Sequence, residues 1–191
     1  MTATLSSAAP SAKASTYSAH LTNGDPSKAS AAYKPTHPGR FQVKFQPGSY
    51  NSCLVTQRRF AKDETLAMMD SAEYSNEKRY STVQVGKDRH IELNSDLLYI
   101  NHSCEPSVRF EVDGPHDTWK AVAERDIEAG EALSFFYPST EWSMSQPFPC
   151  NCGSKSCLDR ISGAKDIPAQ TLRKYFVNKH IQELKDEQSA V

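Results

Sequence analysis

Four of the five cysteines stand in two short motifs. One reads Asn101-His102-Ser103-Cys104. The other reads Cys150-Asn151-Cys152-Gly153-Ser154-Lys155-Ser156-Cys157, or C-x-C-x4-C. Three thiols within eight residues is ligand spacing for one tetrahedral zinc, with one coordination position left over. Cys104 is the candidate to close it, from 46 residues upstream. A metal held by Cys104, Cys150, Cys152 and Cys157 has no open position, so its role is structural and not that of a Lewis acid. Its binding free energy then becomes folding free energy for the segment that carries the three clustered thiols. The alternative is a set of unrelated reduced thiols. An odd cysteine count, in a chain whose start lacks the charged and apolar regions of a secretory signal, argues against a disulfide framework.

The order of the motifs carries a resemblance. Asn-His-Ser-Cys, with Pro106 two residues on, precedes Gly130-Glu131-Ala132-Leu133-Ser134-Phe135-Phe136-Tyr137, and C-x-C-x4-C follows. Over roughly residues 40 to 165 the chain resembles a SET domain with its post-SET cysteines. The resemblance implies an S-adenosylmethionine-dependent N-methyltransferase acting on a protein lysine. A small-molecule amine is the alternative acceptor. A catalytically silent, zinc-stabilised interaction module is the alternative from another class. The pre-SET cysteine clusters of several histone methyltransferases are not found, so histone specificity is not implied.

Methyl transfer from a sulfonium to an amine is a direct displacement that needs a neutral nucleophile. Free lysine has a pKa of about 10.4. A narrow apolar channel disfavours the ammonium form, and positioning supplies most of the remaining catalysis. Tyr137 matches the family's catalytic tyrosine, whose hydroxyl holds and orients the amine; the plainer reading is a core tyrosine at a strand end. Phe136 stands where the family often has Asp, which makes the wall more apolar. Asn101 and His102 match the family's cofactor-contacting pair, or else form a buried structural pair. The family's Gly-x-Gly falls at Asn51-Ser52-Cys53, with both glycines replaced. These three residues are expected against the amino-acid end of the cofactor, and Cys53 outside the zinc site. Trp142 and Phe148 lie in the loop between Tyr137 and Cys150, where they contact the cofactor or amine or simply anchor the loop.

The elements that must hold these residues read as mainly β: a SET-type fold of several small, short-stranded sheets with a threaded segment, plus a C-terminal helix. Residues 1–37 are rich in Ser, Ala and Thr and read as a disordered tail. Its lysines Lys13, Lys28 and Lys34 are candidate self-modification sites. A SET-like domain follows at 38–145, then a zinc segment at 146–165 and a helical end at 166–191. Phe41, Val43 and Phe45 alternate with polar residues, as do Val83 with Val85 and Val108 with Phe110 and Val112. A turn at Asp113-Gly114-Pro115-His116 predicts a hairpin returning through Trp119 to Ala123. An internal echo, V-x-x-R-x-(F/I)-x3-E-x-L, begins at Val55 and again at Val122, each copy reading as strand, turn and strand. Leu172, Tyr175, Phe176, His180 and Leu184 share one helical face, with Pro168 suited to the first turn and Asp166 to the cap. That helix is expected to pack on the core; partner binding is the alternative.

At 191 residues the chain suffices for one domain with a core. A net charge of −1 implies no general basic surface, so no direct nucleic-acid partner is expected. No run of 18 apolar residues exists, and no membrane partner is expected. The expected location is intracellular, cytoplasmic or nuclear. The N-terminus is poor in acids but has no Arg, a weak match to a mitochondrial transit peptide. Nothing in the residues sets an oligomeric state.

Overall fold

The computed structural model describes residues 33–48 and 50–190. Lys13 and Lys28 therefore lie outside the described residues, as does most of the segment read as a tail. Among the described residues, four small sheets make up the β structure. Strands β1 (Phe41–Lys44) and β2 (Cys53–Thr56) form an antiparallel pair. Phe41 and Val43 point inward and Gln42 and Lys44 outward, as their alternation predicts. Strands β4 (Glu73–Ser75), β5 (Thr82–Gln84) and β6 (His90–Glu92) form a second sheet with β6 in the middle.

The largest sheet contains β3 (Thr65–Met68), β7 (Asn101–His102), β8 (Val108–Glu111), β9 (Lys120–Ala123) and β10 (Ser134–Phe135), in the order β3-β9-β8-β10-β7. The predicted hairpin is the β8–β9 pair, with Val108 and Phe110 facing the core. Strand β10 runs parallel to both neighbours, and Ser134 and Phe135 sit opposite Asn101 and His102. The chain thus threads its Gly130–Tyr137 motif between the two strands flanking Cys104, and so brings Tyr137 and the Asn-His pair together.

The internal echo is a structural pair. Phe60 bridges Ile127, Val55 bridges Ala132, and Leu133 N–H donates to Leu54 O at 2.8 Å. In each copy the Glu carboxylate serves its own turn. Glu64 accepts from Ala61 N and from Arg58, and Glu131 accepts from Glu128 N and from Arg125. The spacing recurs because one carboxylate both caps the turn and receives the Arg fork.

Two elements differ from expectation. In β5 every residue is buried, not every second one. Polar Gln84 is buried because its side-chain groups are satisfied: Nε2 donates to Gly86 O and Lys87 O, and Oε1 accepts from Trp142 N. The C-terminal helical pattern is broken into α1 (Ala169–Leu172) and α2 (Lys179–Ser189). Fully buried Asn178 causes the break: Oδ1 accepts from Val112 N, and Nδ2 donates to Phe110 O and Ser139 O. Asp113, across the molecule, accepts from Lys179 N at the start of α2. Pro168 does precede α1, whereas Asp166 accepts from Ser162 Oγ instead of capping a helix.

Residues 33–37, assigned by composition to the tail, are pinned to the body. Asp96, with no exposed surface, accepts from Tyr33 Oη, Thr36 N and His37 N, and its own N–H donates to Thr36 Oγ1. Tyr33 packs edge-on against Phe45 and Tyr99. The main core extends from Phe41 to Phe135. A second cluster of Phe136, Ala164, Ile167, Leu172 and Ile181, joined by Trp142 and Tyr175, binds the C-terminal segment.

Candidate active site and metal centre

The four motif cysteines converge. The Sγ atoms of Cys104, Cys150, Cys152 and Cys157 all lie within 4.8 Å of one another, with Cys104 to Cys150 at 4.0 Å. Strands β11 (Phe148–Pro149) and β12 (Arg160–Ile161) form a short ladder whose connection carries the three clustered thiols. Cys150 N donates to Asp159 O and Cys157 N to Ser154 O, which folds the connection back on itself. Gly153 takes φ +71°, where L side chains are disfavoured. Cys104 is buried on the sheet side and the other three are half-buried.

Hydrogen-bond donors surround the sulfurs. Leu158 N donates to Cys104 Sγ at 3.4 Å, and Ser154 Oγ lies 3.3 Å from Cys152 Sγ. Burial pushes Cys104 up to about 11 and holds Cys150 well above the ordinary thiol range. Burial also acts upward on Cys152, but hydrogen bonds from Ser154 and neighbouring groups outweigh it and bring that thiol to about 6. Four touching thiols cannot all ionise by themselves; a dication among them reverses that balance. Four sulfurs at this mutual spacing are a donor set for tetrahedral zinc. Cys53 begins β2, opposite Lys44, and takes no part.

His102 links this cluster to the threaded segment. Its Nδ1 accepts from Tyr137 N at 3.2 Å, so in the neutral ring Nε2 carries the hydrogen and faces Cys104 Sγ at 3.4 Å. Burial lowers its pKa to about 4 and keeps the ring neutral. The imidazole is therefore committed to protein partners. Asn101 donates from Nδ2 to Ser52 O at 3.0 Å, tying the threaded region to the loop before β2.

Tyr137 opens a short helical turn, Tyr137–Ser139, just past β10. Its Oη donates to Ile100 O at 3.2 Å, and burial first, then the Glu141 charge, hold its pKa well above the phenol range. Phe148 packs edge-on to both His102 and Tyr137, at 5.9 and 6.1 Å between ring centroids. Trp142 packs instead into the second cluster, with Lys185 Nζ 5.5 Å from its ring centre. Phe136 stacks on Tyr175 at 3.8 Å, so that apolar substitution anchors the C-terminal segment.

At the position of the missing glycines, side chains turn back into the preceding loop. Asn51 Nδ2 donates to Pro47 O at 2.7 Å, and Ser52 Oγ accepts from Gln46 N at 3.2 Å. The left-handed backbone falls at Gly48 (φ +93°) and Tyr50 (φ +62°) instead of at 51 and 53. Tyr50 donates from Oη to Gln146 Oε1 and meets Tyr80 edge-on, so this loop touches the one that follows Tyr137.

Sequence reasoning missed Glu141. This residue is 8% exposed, and its Oε1 accepts from Gln84 N at 2.7 Å. The signal was an acid four residues after Tyr137, the spacing that places two side chains on one face of a helical turn.

Residues 31–138 match the family model of the SET domain. Over 153 residues the chain is 38% identical to Methyltransferase flvH of Aspergillus flavus, an alignment spanning 79% of this chain and 84% of that protein. It is 32% identical over 83 residues to Histone-lysine N-methyltransferase ash1 of Drosophila melanogaster, which spans 40% of this chain and 4% of that protein. The crystal structure of the methyltransferase domain of human Histone-lysine N-methyltransferase SETMAR gives a TM-score of 0.46 at 19% identity, covering 64% of this chain and 58% of that one.

Proposed function

The chain belongs to the SET-domain family as a SET-domain methyltransferase, and from that premise we propose that it methylates an amine, first of all a protein lysine side chain. The observation that carries this reading is the meeting of Tyr137, Asn101 and His102 where β10 threads between β7 and β8. S-adenosylmethionine, when bound, supplies the electrophilic methyl group. The chain's own residues orient the acceptor and keep water away. Tyr137 Oη, held by Ile100 O, is a fixed polar point that receives the amine, with Phe148 beside it as apolar wall.

The strip from Tyr50 to Cys53 receives the amino-acid end of the methyl donor. Asn51 and Ser52 leave it room because their side chains are engaged with Pro47 and Gln46. One zinc held by Cys104, Cys150, Cys152 and Cys157 fastens the β11–β12 connection to β7. Through the His102–Cys104 contact it also fixes the ring that accepts from Tyr137 N.

A small-molecule amine is a second acceptor reading. The relative that aligns along most of both lengths is named only a methyltransferase. The histone-lysine-named relative aligns with less than half of this chain. Incubating the purified protein with S-adenosylmethionine and separate panels of lysine peptides and small amines tests both, by mass spectrometry of the products. Methylated peptide supports the first reading; methylated small amine with bare peptides supports the second. No methylated product from either panel contradicts both.

A further inference from the structure

Glu141 is a buried carboxylate close to Tyr137. Glu141 N donates to Tyr137 O at 3.0 Å, so residues 137 and 141 are one helical turn apart and their side chains share a face. Only Oε1 is engaged, by Gln84 N at 2.7 Å and Thr140 Oγ1 at 3.3 Å; among the described residues nothing is bonded to Oε2. The cation that acts on it is Lys78, whose ammonium is itself bonded to Ser143 O. A carboxylate this deep without an ion-pair partner costs the fold free energy. Such a cost is tolerated where a ligand provides the missing charge.

Resting on the reading that the chain methylates an amine, we propose that the Glu141 carboxylate is the acceptor subsite: it binds the incoming ammonium group through Oε2 and takes its proton before methyl transfer. The chemistry recognised is a primary or secondary alkylammonium. Its N–H donates to Oε2, and the proton passes to the carboxylate, which becomes the neutral acid. The freed lone pair, oriented by Tyr137 Oη, attacks the methyl carbon; the carbon–sulfur bond breaks with its electron pair going to sulfur. The acid later releases its proton to solvent. Burial raises this carboxyl to about 7, against the lowering pull of Gln84 N–H, Lys78 and Thr140. The same desolvation lowers an amine from about 10.4, so the two groups approach the match that proton exchange needs.

The test loads the protein with S-adenosylhomocysteine and titrates n-butylammonium chloride and its neutral isostere 1-butanol, followed by NMR at pH 8. Charge-assisted hydrogen bonding to a carboxylate implies a preference for the cation of about 10- to 100-fold in the parent protein. E141Q keeps an acceptor for Gln84 N and is expected to lose that preference, to bind S-adenosylhomocysteine unchanged and to melt no lower than the parent. Methyl transfer to the amine panel is measured on the same preparations. An active parent whose E141Q variant keeps the full cation preference overturns the proposal alone. A parent inactive on every amine overturns it together with the reading it rests on. If E141Q does not fold, the parent decides: equal binding of cation and alcohol overturns the proposal.

Discussion

Tyr137 is the residue on which the proposed chemistry turns, and its hydroxyl can be removed without removing the ring. Tyr137→Phe gives up the bond to Ile100 O but keeps the packing against Phe135 and Phe148. Loss of one preorganised polar contact costs roughly 100- to 1,000-fold in rate. The expected result is that loss in methyl transfer with little change in melting temperature; an unchanged rate would make Tyr137 a core residue only. Cys157→Ser removes one of four donors. Zinc per chain, measured by elemental analysis, is expected to fall from one to near zero, and proteolysis to attack first beyond about residue 140. Those strands whose core lies between Phe41 and Phe135 should survive. The grouping of Cys150, Cys152 and Cys157 was legible because their spacing is a local signal, and the fold brings Cys104 to them. The Tyr137 partner of His102 was not, because that contact depends on how β10 threads. Glu141 was hidden for a related reason: an acid in a loop-like run reads as solvated until its burial is known.

At the scale of elements, close approach matters more than propensity. Gly163 has φ +120°, and a Cβ there would lie 2.5 Å from Trp142 O and 2.7 Å from Ser143 Cα. The crowding is backbone against backbone, so no side chain can swing aside. Gly163→Ala is expected to cost about 2–4 kcal/mol in denaturant unfolding. It should also weaken zinc retention, since the same segment leads back from the thiols into the second cluster.

The β8–β9 hairpin and the two echo units were readable because alternation, turn residues and the Arg–Glu spacing are local signals. The α1–α2 break was not. It depends on Asn178 reaching Val112, Phe110 and Ser139, all distant in sequence. The anchoring of residues 33–37 was hidden likewise, because Asp96 lies some 60 residues away. Burial pushes the Asp96 carboxyl up, but hydrogen bonds from His37, Tyr33 and Thr36 outweigh it and leave it below its ordinary 3.8. A carboxyl lowered on folding gives stability that is present above pH 3.8 and lost as pH falls through the lowered value. Asp96→Asn is expected to cost about 1.5–3 kcal/mol at neutral pH, and to remove that acid-side loss. Paired melting curves at pH 7 and pH 3 check both statements; equal sensitivity to acid in parent and variant would assign the acid loss elsewhere.

For the whole molecule, the threaded segment, the thiol cluster and the C-terminal segment act as one assembly. His102 touches both the thiol cluster and the Tyr137 side, and Phe136 on the same thread stacks against Tyr175. Zinc removal is therefore expected to abolish activity without unfolding the main core. A strong chelator should give a protein with native β content, altered aromatic signals and no methyl transfer, restored by added zinc. The most direct measurement of the central claim is mass spectrometry of lysine peptides and small amines after incubation with S-adenosylmethionine and the zinc-loaded protein. The expected result is an acceptor gaining one or more methyl groups with the parent, and a loss of roughly 100-fold or more with Tyr137→Phe. Zinc-loaded, folded protein that binds S-adenosylmethionine but methylates nothing, or a Tyr137→Phe variant as active as its parent, would contradict it.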